Sequence, residues 1–239
     1  MYGEGKDVRS MDAFVESLLE ELNCEVVFTI PLFGGIPVLE SVVVTWIIMA
    51  VLTLASIILV RNLKVENVGR KQLMLETAIG GLYGFFEGCV GHHGRKYIPY
   101  LITAALYIGM ADLIGLFGFK PPTKDLNVTI ALAFISIMLI EIAGLRQKGF
   151  KGFLKSFAQP IAIMLPINIL EVFIRPLSLC MRLFGNVLGA FVVMELIKLL
   201  VPAVVPVAFS LYFDIFDGLI QAYVFVFLTS LFVGEALEG

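Results

Sequence analysis

Charged positions along this chain are spaced so that they leave apolar runs of membrane-crossing length. A hydrocarbon core about 30 Å thick takes about 20 helical residues to cross. Ser41 to Val60 is an uncharged run between Glu40 and Arg61 and predicts a first span over 41–60. Tyr97 to Phe119 holds only Asp112 and Leu126 to Leu145 only Glu141, which predicts spans over 97–117 and 128–145. Between them, Phe119-Lys-Pro-Pro-Thr-Lys-Asp-Leu-Asn127 carries two adjacent prolines that forbid a continuous helix, so the two spans form a hairpin. The mixed segment 71–90 contains Glu76, Glu87 and glycines at 80, 81, 84 and 88. It reads either as a glycine-loosened helix lying at the interface or as a small-residue ridge, Gly80, Gly84 and Gly88, for close helix contact.

From Phe157 the pattern changes. Apolar residues continue to about position 200 with polar ones recurring inside the run. At 1.5 Å per residue such a helix reaches roughly 60 Å, too long to stand upright in a bilayer. Prolines 160, 166 and 176 are candidate bends, and Pro202 and Pro206 end the run. A last segment over about 207–234 holds only Asp214 and Asp217 as charges. The pattern therefore predicts an all-α integral membrane protein of about five membrane helices plus an interfacial helix, with the last two long, tilted and forming a hairpin.

Composition agrees: 59% of residues are apolar and 15% charged, against about 25% charged in soluble domains. The net charge of -3 hides a segregation. Residues 1–40 form a separate acidic segment, with eight acids against Lys6 and Arg9, and positions 11–22 read as a short surface helix. Arg61, Lys64, Arg70 and Lys71, then Arg95 and Lys96, then Arg146, Lys148, Lys151 and Lys155 mark cytoplasmic connections by the positive-inside rule. The amino terminus and the loop Lys120 to Asn127 then face outward and the acidic tail inward. The amino end shows no removable signal peptide. Cys24, Cys89 and Cys180 share no metal-ligand spacing, His92 and His93 sit in a basic loop, and no phosphate-binding glycine loop is present. No cofactor, metal or nucleic acid is implied.

The candidate chemistry lies on the two long helices. Arg175, Ser178, Arg182, Gly185, Asn186 and Gly189 recur at spacings of three, four and seven, along one stripe. Arg182 commits a permanent cation to the membrane interior, at a cost of roughly 2.5 to 3.5 kcal/mol on insertion scales, which makes it a functional residue by default. Asn186, one turn away, is placed to orient it. Asp214, Asp217 and Gln221 fall at i, i+3 and i+7 on the second helix, with Tyr223 and Thr229 as hydroxyl donors. Two carboxylates and an amide in apolar sequence suggest a wet path for protons or sodium. A structural ion pair of Arg182 with Asp214 or Asp217 is the plainer alternative. Asp112 reads as a relay or an anchor, and Glu171 and Glu195 as path residues or interfacial charges, with Lys198 able to pair with Glu195.

Leu177-Ser-Leu-Cys-Met-Arg-Leu-Phe-Gly-Asn186 resembles the signature of subunit a of rotary ATP synthases of bacterial type, in which the arginine precedes Leu-Phe-Gly-Asn. The resemblance continues at Pro121-Pro-Thr-Lys-Asp-Leu-Asn-Val-Thr129, Leu165-Pro-Ile-Asn-Ile-Leu-Glu171 and Ile220-Gln-Ala-Tyr-Val-Phe225. It implies a multi-pass subunit of the bacterial plasma membrane, the static half of a motor beside a ring of proteolipids (subunit c), held with the peripheral stalk (subunit b) and the rest of the ATP synthase. It also implies that Arg182 faces a ring carboxylate, that Gln221 lies close to it, and that Asp214 matches a position serving the ion path. The subunit would bind no nucleotide and be no enzyme on its own. Two positions depart from the pattern: Phe191 stands where many relatives carry Glu or His, and Gly109 where an asparagine is common. The competing class is an ion-coupled secondary transporter with an intramembrane arginine; a passive assembly scaffold is a third.

Overall fold

The computed structural model describes residues 26–31, 36–61, 63–64, 69–117, 119–156, 163, 165–200, 209 and 211–238. The surface helix expected over 11–22, Cys24, and the connection containing Pro202 and Pro206 lie outside the described residues. An unpredicted β-hairpin comes first: β1 (Val26–Ile30) pairs antiparallel with β2 (Ile36–Leu39), with a register irregularity between Val26 and Phe28. Its β-branched residues favour extended backbone.

Helix α1 (Glu40–Val60) follows β2 directly, and α2 (Arg70–Val90) begins after Gly69. Gly91 ends α2 with φ of +71°, a left-handed conformation that glycine adopts without a Cβ clash. A 3-10 turn, His92–Tyr97, leads into α3 (Ile98–Leu113). Helix α4 (Leu126–Ser156) continues past position 145 into the basic stretch, where Arg146, Gln147 and Lys148 are good helix formers, and a second short helical piece follows a kink. Gly149, with φ of +68° and ψ of 165°, interrupts it. Helix α5 is described over Leu165–Leu200 and carries Pro176 inside the helix, while 157–162, with Pro160, and 164 lie outside the described residues. The final segment opens on a π-helical stretch, Tyr212–Asp217, and continues as α6 (Gly218–Glu238).

Among the described residues, five helices are long and apolar enough to cross a membrane, over Glu40–Val60, His92–Phe117, Leu126–Phe153, Leu165–Met194 and Ile215–Leu237. The protein is an all-α integral membrane protein apart from the small hairpin. Helix α2 is not among the five. It lies against α3 and α6 through buried Phe86 and Val90, while Gly80, Gly84 and Gly88 face open space, so that ridge closes on no described part of the chain.

Helix α6 is central, packed on α2, α3 and α4. Phe225, Val226 and Val233 of α6 meet Ile98, Leu101 and Ile108 of α3, Ile137 and Ile140 of α4, and Leu179 and Leu183 of α5 in one core. A smaller cluster, Val44, Ile48, Ala111 and Ile114, joins α1 to α3. Outward faces stay apolar, with Trp46, Leu54, Ile57 and Ile58 exposed on α1, as lipid requires.

Candidate functional site

The site begins at the connection between α3 and α4, which folds back into the protein. Pro122, Thr123, Lys124 and Asp125 are all buried and touch α1, α3, α4 and α5. Asp125 explains why the chain can turn there. Its Oδ1 accepts the Asn127 backbone N–H at 2.9 Å, the N-cap bond that starts α4, and its Oδ2 accepts the Ser41 hydroxyl of α1 at 2.6 Å. Thr45 Oγ1 and Tyr107 Oη, 3.1 Å apart, link α1 to α3 one turn further along.

Asp112 is 5% exposed near the end of α3. Thr123 donates its hydroxyl to Asp112 Oδ1 at 2.7 Å, and Oδ2 is buried without a partner among the described residues. Gly218 touches the Asp112 side chain, which sets the first turn of α6, and with it Asp217, beside this carboxylate. The π-helical stretch just before Gly218 breaks the 3.6-residue period, so the i, i+3, i+7 alignment from Asp214 to Gln221 is not one helical face throughout. The Asp214 side chain lies outside the described residues.

On α5, Leu179, Cys180 and Leu183 turn into the core, and Cys180 Sγ lies 3.5 Å from Thr129 Oγ1 of α4. The opposite stripe is left open: Ser178 and Asn186 are exposed, Arg182 is half-buried, and Gly185 and Gly189 have nothing within 4 Å of where a Cβ would stand. Arg182 forms no ion pair among the described residues. The Arg182–Asp217 lock, one alternative at the sequence level, is therefore not made. The Asn186 amide donates to Gln221 Oε1 at 2.5 Å, a link between α5 and α6. Gln221 is 2% exposed, and its Nε2 is buried without a partner among the described residues. Gly109 faces Ala222, beside Gln221, with room for little more than van der Waals contact.

Several other candidates make contacts within the chain. Tyr223 is exposed and stacks on Phe227 at 5.6 Å between centroids, within reach of Phe85. Thr229 returns its hydroxyl to the Phe225 carbonyl of its own helix. Glu171 pairs with Arg175 one turn on, at 3.3 Å. The side chains of Glu195 and Lys198 lie outside the described residues. Reasoning on the sequence missed Lys124, whose buried ammonium sits 3.6 Å from the centre of the Phe191 ring. A lysine between prolines and an aspartate, in a connection between two apolar spans, was the available signal.

The arrangement is a buried carboxylate at one end, an amide pair bridging α5 and α6, and a guanidinium without an ion pair among the described residues on an open, glycine-lined face. The sequence profile of the ATP synthase A chain family matches residues 42–234. The ATP synthase subunit a of Moorella thermoacetica is 36% identical over 207 residues, covering 86% of this chain and 94% of the relative. ATP synthase subunit a 2 of a Bradyrhizobium species is 35% identical over 205 residues, 85% of this chain and 91% of the relative. The sodium ion specific ATP synthase subunit a of Propionigenium modestum is 32% identical over 215 residues, 83% of this chain and 74% of the relative. A profile match over most of the chain, together with these identities, means that the chain belongs to the ATP synthase A chain family.

Proposed function

We propose that this chain is the ion-translocating stator subunit of an ATP synthase and that Arg182 is its working charge. The observation that carries the reading is the half-buried guanidinium of Arg182, without an ion pair among the described residues, on a face of α5 that Gly185 and Gly189 leave open. A carboxylate on a rotating proteolipid ring crosses lipid only when neutralised, because a bare charge in hydrocarbon is too costly. Ions load it from one side and leave to the other through two offset half-channels. Arg182 stands between them, attracts the unloaded carboxylate and blocks a direct leak.

Asp112, Asp217 and Asp214 serve the outer half-channel, and Asn186 and Gln221 hold the ground beside Arg182. Ser178, Glu171, Glu195 and Tyr223 have lesser parts in the path. The transmembrane potential supplies about 2.3 kcal/mol per charge per 100 mV, which biases loading and release and so drives rotation. The partners are the ring, the peripheral stalk and the nucleotide-hydrolysing sector; this chain itself needs no cofactor and binds no nucleotide. The distribution of Lys and Arg supports an amino terminus outside and a carboxyl terminus in the cytoplasm.

Arg182→Ala abolishes ion-driven ATP synthesis by the reconstituted complex while ATP hydrolysis by its soluble sector survives; undiminished synthesis overturns the reading. The transported ion is a proton. Sodium is the second reading, favoured by the sodium-specific relative. Transport that continues in sodium-free buffer supports the first, and transport that requires sodium supports the second.

A further inference from the structure

Two arginines stand two helical turns apart on one stripe of α5, and they are treated differently. Arg182 is without an ion pair among the described residues, whereas the Arg175 side chain is 15% exposed and engaged on several sides. Its Nη2 lies 2.9 Å from Glu235 Oε1 of α6 and 3.3 Å from Glu171 Oε1 of its own helix. Its guanidinium lies 4.8 Å from the Phe232 ring centre, again on α6. The second link between the two helices is Asn186 to Gln221. Moving down α5 from 186 to 175 moves up α6 from 221 to 235, so the helices run antiparallel with a tie on either side of position 182.

We propose that the Arg175–Glu235 pair is a positioning device for Arg182, a second cross-link that holds α5 against α6 on the far side of the working charge. The inference rests on the reading of Arg182 given above. Apolar packing of Leu179 and Leu183 in the shared core is non-directional, so a single polar tie beside it leaves the two helices free to turn against each other. Two ties, about 16 Å apart along α5 at 1.5 Å per residue, fix both the separation and the rotation of the face between them. Each ring carboxylate that passes pulls on Arg182, and the pull is resisted only if α5 cannot follow the rotor. A charge-assisted bond suits that task, since it is stronger than a neutral one, although the Glu235 side chain is 62% exposed and only the Arg175 end is shielded. Stacking on Phe232 keeps the Arg175 guanidinium from swinging away when Glu235 moves.

The experiment uses the complete ATP synthase carrying Arg175→Gln, Glu235→Gln or Arg175→Lys, purified with its ring and reconstituted into vesicles. Two quantities are read: synthesis driven by an imposed potential, and ions pumped per ATP hydrolysed. Both Gln variants lose roughly tenfold or more of ion-driven synthesis, the scale on which a displaced positioning contact is felt. They also pump fewer ions per ATP while hydrolysis continues. Arg175→Lys keeps most of the coupling, because one guanidinium nitrogen carries the contact to Glu235 and an ammonium can replace it. Should Arg175→Gln fail to assemble, Glu235→Gln decides the matter, since it leaves Arg175 on Glu171.

Wild-type pumping per ATP in an assembled Gln variant overturns the proposal. So does an Arg175→Lys complex as uncoupled as Arg175→Gln, which would assign the position to packing and not to charge. Arg182→Ala in the same preparation separates the two readings. A dead Arg182→Ala beside a coupled Arg175→Gln removes only the cross-link, while an active Arg182→Ala removes the role of Arg182 itself.

Discussion

Gly218 stands closer to Asp112 than any side chain at 218 would permit: a Cβ built on the glycine falls 2.9 Å from the Asp112 Cβ. The glycine opens α6 just where the π-helical stretch ends, and its bareness lets the buried carboxylate of α3 lie against the α6 backbone. Gly218→Ala forces the two helices apart, and inserting a methyl into a packed core costs about 1 to 3 kcal/mol. The variant melts at a lower temperature in detergent, and its ion transport falls because the Thr123–Asp112 bond is displaced with the helix. Unchanged melting and transport would show that the contact has slack.

Thr123 is the one hydroxyl given to Asp112 among the described residues, at 2.7 Å, while the other carboxylate oxygen is buried and unpartnered. Thr123→Val preserves the shape of the side chain and removes the donor. Leaving a buried acceptor unsatisfied costs about 1 to 3 kcal/mol, more when it is charged. Thr123→Val therefore lowers the thermal stability of the purified chain, and Thr123→Ser, which keeps the hydroxyl, restores it. A valine variant as stable as the parent would remove this hydrogen bond from the account.

The contrast between Asp112 and Arg182 shows what the sequence could and could not tell. Apolar runs bounded by charges locate spans because lipid offers backbone groups no partner, so length and hydropathy determine where helices cross. Arg182 was conspicuous for the same reason, as a charge whose cost demands an explanation. Partnership was not legible. Ser41 and Asp125 are 84 positions apart, Arg175 and Glu235 are 60 apart, and no periodicity links them. The widened turn at Tyr212–Asp217 was also hidden, because the run Tyr-Phe-Asp-Ile-Phe-Asp carries no pattern that distinguishes a π-helical turn from an α-helical one. The hairpin Val26–Leu39 was missed because its strands are short and follow a segment read only for its charge.

Lys124 and Phe191 form a cation–π pair that joins α5 to the connection between α3 and α4. The ammonium is buried, 6% exposed, and lies over the ring at 3.6 Å from its centre. A desolvated cation on an aromatic face is worth about 2 kcal/mol. Phe191→Leu keeps the apolar volume but removes the quadrupole, so the purified chain melts at a lower temperature; Phe191→Tyr, which keeps a ring face, does not. Phe191→Glu is the informative third variant, since it puts at this position an acid that the resemblance leads one to expect there. A carboxylate beside Lys124 exchanges the ring contact for an ion pair, whose Coulomb gain is set against the desolvation of the new charge. The stability of Phe191→Glu accordingly falls between those of the leucine variant and the parent. If the leucine variant proved as stable as the parent and the glutamate variant did not fold, the ring would be serving as packing alone, and Lys124 would be held by its other contacts.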